Sequence, residues 1–333
     1  MPSFTYDVLG FGAAIVDVLA RADDDLLVRE KLAKGTMALI DEARAFALQA
    51  MLVDPKQASG GSAANTCAGV ASLGGSAAFV GKVKDDALGR VFAQDLRTTG
   101  VGYRVPPAAD GPATAACYIL VTPDGERTMN TFLGASGTLA PADLDPELPR
   151  ASRVLFAEGY LWDSPTATET FESAARIAQG GGGKVSFTLS DPFCVDRHRA
   201  HFRALVASGR VDLLFANESE AKSLYETADL ETALDAMARE AKLAVVTLGE
   251  NGAVVLAGDR RTPVEAFPVE RVVDATGAGD LFAAGFLLGY ARGMPHDRSA
   301  RLGALAAAEV ISHMGARPEQ SLAALARSNG LAP

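Results

Sequence analysis

Apolar residues in this chain gather in short unbroken runs more often than in alternating ones. YDVLGFG at 6–12 is one such run, ending in glycines, and 78–83, 154–157, 184–189, 211–216 and 243–247 repeat the pattern. Runs this short, bounded by turn residues, predict strands buried on both faces. Between them lie stretches with helical periodicity, among them DALGRVFAQDLRTTG at 86–100 and TATETFESAARIAQG at 166–180. The second opens on Thr166, a suitable capping residue. Alternating strand and helix predicts an α/β fold, a mainly parallel central sheet flanked by helices. Ligands of such sheets collect beyond the carboxyl ends of the strands. From Gly277 onward the pattern is almost wholly helical.

Two regions break the rhythm. Residues from about 17 to 40, and the pair TAACYILVTP and ERTMNTFL around Asp124-Gly125, alternate in polarity like β-ribbon. They predict a small β-sheet drawn from about 17–50 and 112–134 within one domain of 1–333. Hinged at its flanking glycines, it would act as a lid over the ligand crevice. The same pattern also permits edge strands of the main sheet. An exposed lid sheet would offer a surface for a homodimer.

Composition narrows the chemistry. With 333 residues, 48% hydrophobic and 22% charged, the chain suits a globular protein with one large domain and a smaller appendage. Its net charge of -10 and lack of any basic block argue against a nucleic-acid partner. No run approaches the ~20 apolar residues of a membrane span. The start, MPSFTYDVLGFG, lacks the basic flank and apolar run of a signal peptide. The expectation is a cytoplasmic protein without a membrane partner. Cys67, Cys117 and Cys194 are scattered in apolar surroundings and read as reduced thiols. The four histidines, at 198, 201, 296 and 313, suggest no nucleophile–base arrangement.

An acidic protein that binds an anion must concentrate positive potential locally, and VVDATGAGDLFAAGFLLGYARG at 272–293 does so. Glycines let the backbone turn its N–H groups toward a ligand, and the helix that follows adds the positive end of its dipole. Asp280 stands directly beside this anion hole. A carboxylate there suits phosphoryl transfer, in which donors hold the moving group while a base accepts the hydroxyl proton. Ser59-Gly60-Gly61-Ser62-Ala63-Ala64-Asn65 is a second glycine-led helix entry, and the Asn65 amide can donate to and accept from a polyol. Asn217-Glu218-Ser219-Glu220 follows the strand VDLLFA, where Glu220 suits a hydrated magnesium ion. GFGAAI at 10–15 has Ile15 where a dinucleotide fingerprint needs its third glycine, which leaves an NAD-dependent oxidoreductase as a remote alternative. Gly183-Lys184 lacks the preceding glycine of a Walker A loop.

Together these segments resemble the ribokinase-like, or PfkB, family of carbohydrate and nucleoside kinases. The resemblance rests on GGSAAN at 60–65, GKVKDDALGRVF at 81–92, NESE at 217–220, VTLGENGA at 246–253 and DATGAGD at 274–280. It implies ATP as donor with Mg2+, and Asp280 as catalytic base beside an anion hole of Gly277, Ala278 and Gly279. Asn217 and Glu220 would serve the phosphates and magnesium, Glu220 through water, while Thr247, Gly249 and Gly252 would lie along the nucleotide. Asp274 and Thr276 match positions that hold a monovalent cation such as K+ in some members. Asp17 matches the position that bonds the vicinal hydroxyls of a ribose, with Gly60, Gly61 and Asn65 beside it. TLSDPF at 188–193, FLGAS at 132–136 and EGYLWD at 158–163 resemble the adenosine kinases in particular. They imply a nucleobase wall containing Phe193, Leu133 and Trp162. The expected acceptor is the 5′-hydroxyl of adenosine, giving AMP. A free sugar such as ribose or fructose, and a sugar-binding protein without chemistry, are the alternatives.

Overall fold

The computed structural model describes residues 4–333. Nine strands form the larger sheet: β1 (Tyr6–Phe11), β5 (Ala77–Val80), β6 (Gly102–Tyr103), β9 (Ser152–Glu158), β10 (Lys184–Thr188), β11 (Leu213–Asn217), β12 (Ala244–Thr247), β13 (Ala253–Ala257) and β14 (Arg260–Val264). Their order is β14-β13-β12-β11-β10-β9-β1-β5-β6, parallel throughout except for the antiparallel β13 and β14 at one edge. Helices cover both faces, which is why β1 beyond Tyr6 and all of β5 are buried without alternation. Val8, Phe79, Phe156 and Phe215 point into one core layer, and Leu9, Phe11, Leu155 and Phe187 into the other. The chain runs from β1 to β5 on one side and to β9 on the other, so the sheet reverses direction at β1. The carboxyl ends there open a crevice.

The ribbon regions form a separate five-stranded sheet rather than edges of the large one. Its strands are β2 (Ile15–Arg21), β3 (Met37–Leu39), β4 (Lys56–Ser59), β7 (Ala115–Val121) and β8 (Arg127–Phe132), in the order β3-β8-β7-β2-β4. β7 and β8 make the hairpin expected at Asp124-Gly125, where Gly125 has φ +85°. β8 alternates half-buried and buried positions, as a one-sided sheet requires. One strand, β4, lies outside the span expected from sequence: KQAS is polar, and three of its four residues are exposed. The helix expected to start at Thr166 starts instead at Pro165, capped by the Ser164 hydroxyl.

Candidate active site

The loop 274–279 enters the helix Ala278–Ala291 through Gly277, whose φ of +82° is left-handed. A Cβ at Gly277 would come within 2.8 Å of Ala316, so both conformation and space demand glycine. The first N–H groups of a helix have no partner within it, and here that of Ala278 donates back to the Ala275 carbonyl at 3.2 Å. Nothing lies within 4 Å of where a Cβ on Gly279 would stand, so this backbone borders open space.

Asp280 occupies the first turn of that helix and is held from the opposite wall. Ser62 Oγ donates to Asp280 Oδ1 at 2.6 Å, and Asn65 Nδ2 donates to Oδ2 at 3.0 Å. Both donors sit on the helix Ser62–Ser72, which follows the paired glycines. Thr66 Oγ1 adds a bond to the Asp280 carbonyl at 3.1 Å, joining the two helices. Burial pushes the Asp280 carboxyl above the ordinary range, while Ser62, Asn65 and the Arg317 charge pull it back. The result is a carboxylate held in place and more basic than a solvent-exposed one.

Asp17, on β2, approaches from the small sheet. A Cβ on Gly60 would fall within 2.4 Å of its carboxylate, so the glycine allows the approach. Burial pushes the Asp17 carboxyl up to about 6, against the charges of Arg317 and Arg127. Glu158, at the carboxyl end of β9, accepts from the N–H groups of Ala13 and Ala63, each at 2.8 Å. Its carboxyl is pushed up to about 7 by burial. Glu158 and Arg317 were not singled out from sequence. Glu158 carried a readable signal, its place at the end of an apolar strand, whereas Arg317 in a polar turn carried none.

From Asp280 a cavity of about 600 Å³ extends past Gly277, Ala278 and Gly279 to Asn217, Glu220, Thr247 and Gly249. Three widely separated segments therefore line one space. Asn217 and Glu220 close a capping box. Asn217 Oδ1 accepts from the Glu220 N–H at 2.9 Å, and the Glu220 carboxylate accepts from Asn217 N and Nδ2 at 2.9 and 2.6 Å. Burial pushes the Glu220 carboxyl up to about 7. Among the described residues no group of three or more His, Cys, Asp or Glu is placed to hold a metal. Gly252 does not line the cavity. With φ +82° it shapes the turn, and its carbonyl accepts from Leu248 N at 2.7 Å.

Two expectations change. Asp274 and Thr276 are together, but as partners of Arg127 from β8. Arg127 Nη2 lies 2.7 Å from Asp274 Oδ2, and Nη1 donates to Thr276 Oγ1 at 2.9 Å. Asp274 also accepts from Gly315 N at 2.8 Å and from the Thr276 N–H and hydroxyl. Although burial works against ionisation, these bonds and Arg127 hold its carboxyl below the usual range. A monovalent cation does not fit beside the guanidinium, because the positive charge Asp274 needs is already supplied. The aromatic wall is not assembled either. Trp162 packs against Phe171, Phe187 and Phe202 with ring centroids 5.0–5.5 Å away, a half-buried ring laid against the core. Phe193 is 72% exposed on the first turn of the helix Pro192–Ala207, and Leu133 caps the short turn Gly134–Thr138.

A family model, pfkB family carbohydrate kinase, matches residues 47–322. The chain belongs to the PfkB family of carbohydrate kinases. It is 48% identical to a probable sugar kinase from Rhizobium etli, with a TM-score of 0.92, covering 98% of this chain and 99% of that one. Adenosine kinase from Sinorhizobium meliloti is 51% identical, with a TM-score of 0.91 and coverage of 97% and 99%. Probable fructokinase-3 of Arabidopsis thaliana is 31% identical over 69% of this chain and 68% of its own length. The protein is thus a sugar or nucleoside kinase, a phosphotransferase acting on a hydroxyl group. Kinases of this family use ATP and Mg2+. Among the described residues no helix is long and apolar enough to cross a membrane.

Proposed function

We propose that this kinase phosphorylates the 5′-hydroxyl of a ribonucleoside, adenosine foremost, with Asp280 as the base. The observation that carries the chemistry is a carboxylate held by Ser62 and Asn65 beside the left-handed Gly277, at one end of the long cavity. The triphosphate lies along Asn217, Glu220, Thr247 and Gly249, with its γ-phosphoryl at the glycine turn of Gly277, Ala278 and Gly279. The acceptor hydroxyl meets Asp280, which takes its proton as the oxygen forms a new bond to phosphorus and ADP leaves. Magnesium, bound with the nucleotide, offsets phosphate charge. Asp17 accepts from the sugar hydroxyls, whose donors offset the burial of its charge.

The adenosine reading rests on 51% identity across nearly the full length to the Sinorhizobium meliloti enzyme, and no longer on an aromatic wall. A second reading, a free hexose such as fructose, is favoured by 31% identity to plant fructokinases. ADP release measured with adenosine, ribose and fructose separates the two. Adenosine is expected to exceed either sugar in kcat/KM by about tenfold or more, the preference that ~1.4 kcal/mol of differential binding gives. Equal or better turnover of ribose or fructose would overturn the nucleoside reading. No ADP release with any acceptor would overturn both.

A further inference from the structure

Arg317 lies on the irregular segment that follows the helix His296–Val310, far in sequence from every motif described above. Its Nε donates to Asn65 Oδ1 at 2.8 Å, and its Nη2 donates to Ser59 Oγ at 2.7 Å and to the Ser59 carbonyl at 3.3 Å. Ser59 Oγ donates onward to Asp95 Oδ2 at 2.5 Å. An amide has one acceptor and one donor end, and a guanidinium can only donate. Arg317 therefore takes the oxygen of Asn65 and turns its NH2 the other way, onto Asp280 Oδ2. Without it, either end of the amide could face the site.

The charge matters as well as the geometry. Two further acids come to the same site from other elements, Asp17 on β2 and Glu158 at the end of β9, and the charge of Asp280 pushes both of their carboxyls up. Arg127 reaches toward Asp17 from β8 but is spent on Asp274. Arg317 is the cation that acts on Asp280 itself. A purely structural arginine at this depth would have its donors satisfied. Instead Nη1 is buried and meets no partner among the described residues.

We propose that Arg317 is the positioning residue of Asp280: through Asn65 it aims the carboxylate, and its guanidinium keeps that carboxylate ionised at the pH where transfer runs. The inference rests on Asp280 being the base. Arg317 touches neither reacting atom. Its effect passes through one amide and through space.

Arg317→Met and Arg317→Lys separate the two contributions. Carboxyl NMR of aspartate-labelled protein reads the Asp280 titration without turnover, with signals assigned from Asp280→Asn and Asp17→Asn. In Arg317→Met the Asp280 midpoint should rise by about one pH unit or more, and the acid limb of kcat/KM should rise with it. Arg317→Lys should hold the midpoint within about half a unit yet lose about tenfold in kcat, because an ammonium cannot fork between Asn65 and Ser59. An unmoved midpoint in Arg317→Met, or kcat within twofold of the parent in Arg317→Lys, would overturn the inference. Should Arg317→Met fail to fold, the lysine variant alone decides the matter. If the parent turned over no acceptor, the kinase reading would fall, while the NMR titration would still judge the link between Arg317 and Asp280.

Discussion

Replacing Asp280 with asparagine removes one proton acceptor and almost nothing else, and the structure explains why. Ser62 Oγ and Asn65 Nδ2 both donate to the carboxylate, at 2.6 and 3.0 Å. An asparagine there can give its carbonyl to Asn65, whose NH2 is fixed in direction by Arg317. Its own NH2 then faces Ser62, whose hydroxyl can turn to accept. Both partners stay satisfied, and no buried donor is orphaned. The variant also loses a charge that burial disfavours, so its thermal midpoint should not fall. Turnover should fall by the share of a general base, roughly 10²–10⁴-fold, or about 2.7–5.5 kcal/mol of transition-state stabilisation. ATP and acceptor affinities, read by calorimetry, should change by less than about threefold, because the lost interaction exists only in the transition state. The assay is ADP release under saturating substrates beside direct binding. Turnover within threefold of the parent would refute the assignment of Asp280. A matching loss of ATP affinity would show that it binds rather than reacts.

Two further outcomes follow from the small sheet. Asp17 titrates near 6, so below that pH it takes a proton and can no longer accept from two hydroxyls. Acceptor KM should rise by up to ~10-fold per unit as pH falls through that value, while KM for ATP stays flat. Asp17→Asn should remove this dependence, and a flat acceptor KM in the parent would count against the role. The sign for stability is opposite: the folded chain binds this proton more tightly than the unfolded one, so the group's contribution to stability rises as pH falls from about 6. Arg127 ties β8 to Asp274 and Thr276 beside the anion hole, so it should act as a latch for the sheet. Hydrogen exchange over 114–133 should slow when acceptor binds, and Arg127→Gln should speed it in the free protein. An unchanged pattern in both would rule out a lid.

What the sequence determined by itself is what short range decides. The strands β1, β9, β10, β11 and β12 were legible because a strand buried on both faces must be apolar throughout. The glycine turn at 277–279 was legible because glycines and a following apolar helix state their geometry locally. The hairpin was legible from its alternation and its Asp124-Gly125 turn. The same local reading missed β4, because KQAS has neither apolar alternation nor burial to mark it. It also misplaced the aromatics: a tryptophan suits a core and a binding wall equally, and only the packing of Phe171, Phe187 and Phe202 laid Trp162 against the core. Asp274 and Thr276 matched a cation site letter by letter, yet the cation they meet is Arg127, brought by a hairpin about 150 residues away. Only the tertiary structure could show this, or the contact of Arg317 with Asn65 across 252 positions. Such contacts depend on where whole elements pack, and a charge or a ring carries no mark in the sequence of the partner that packing will bring to it.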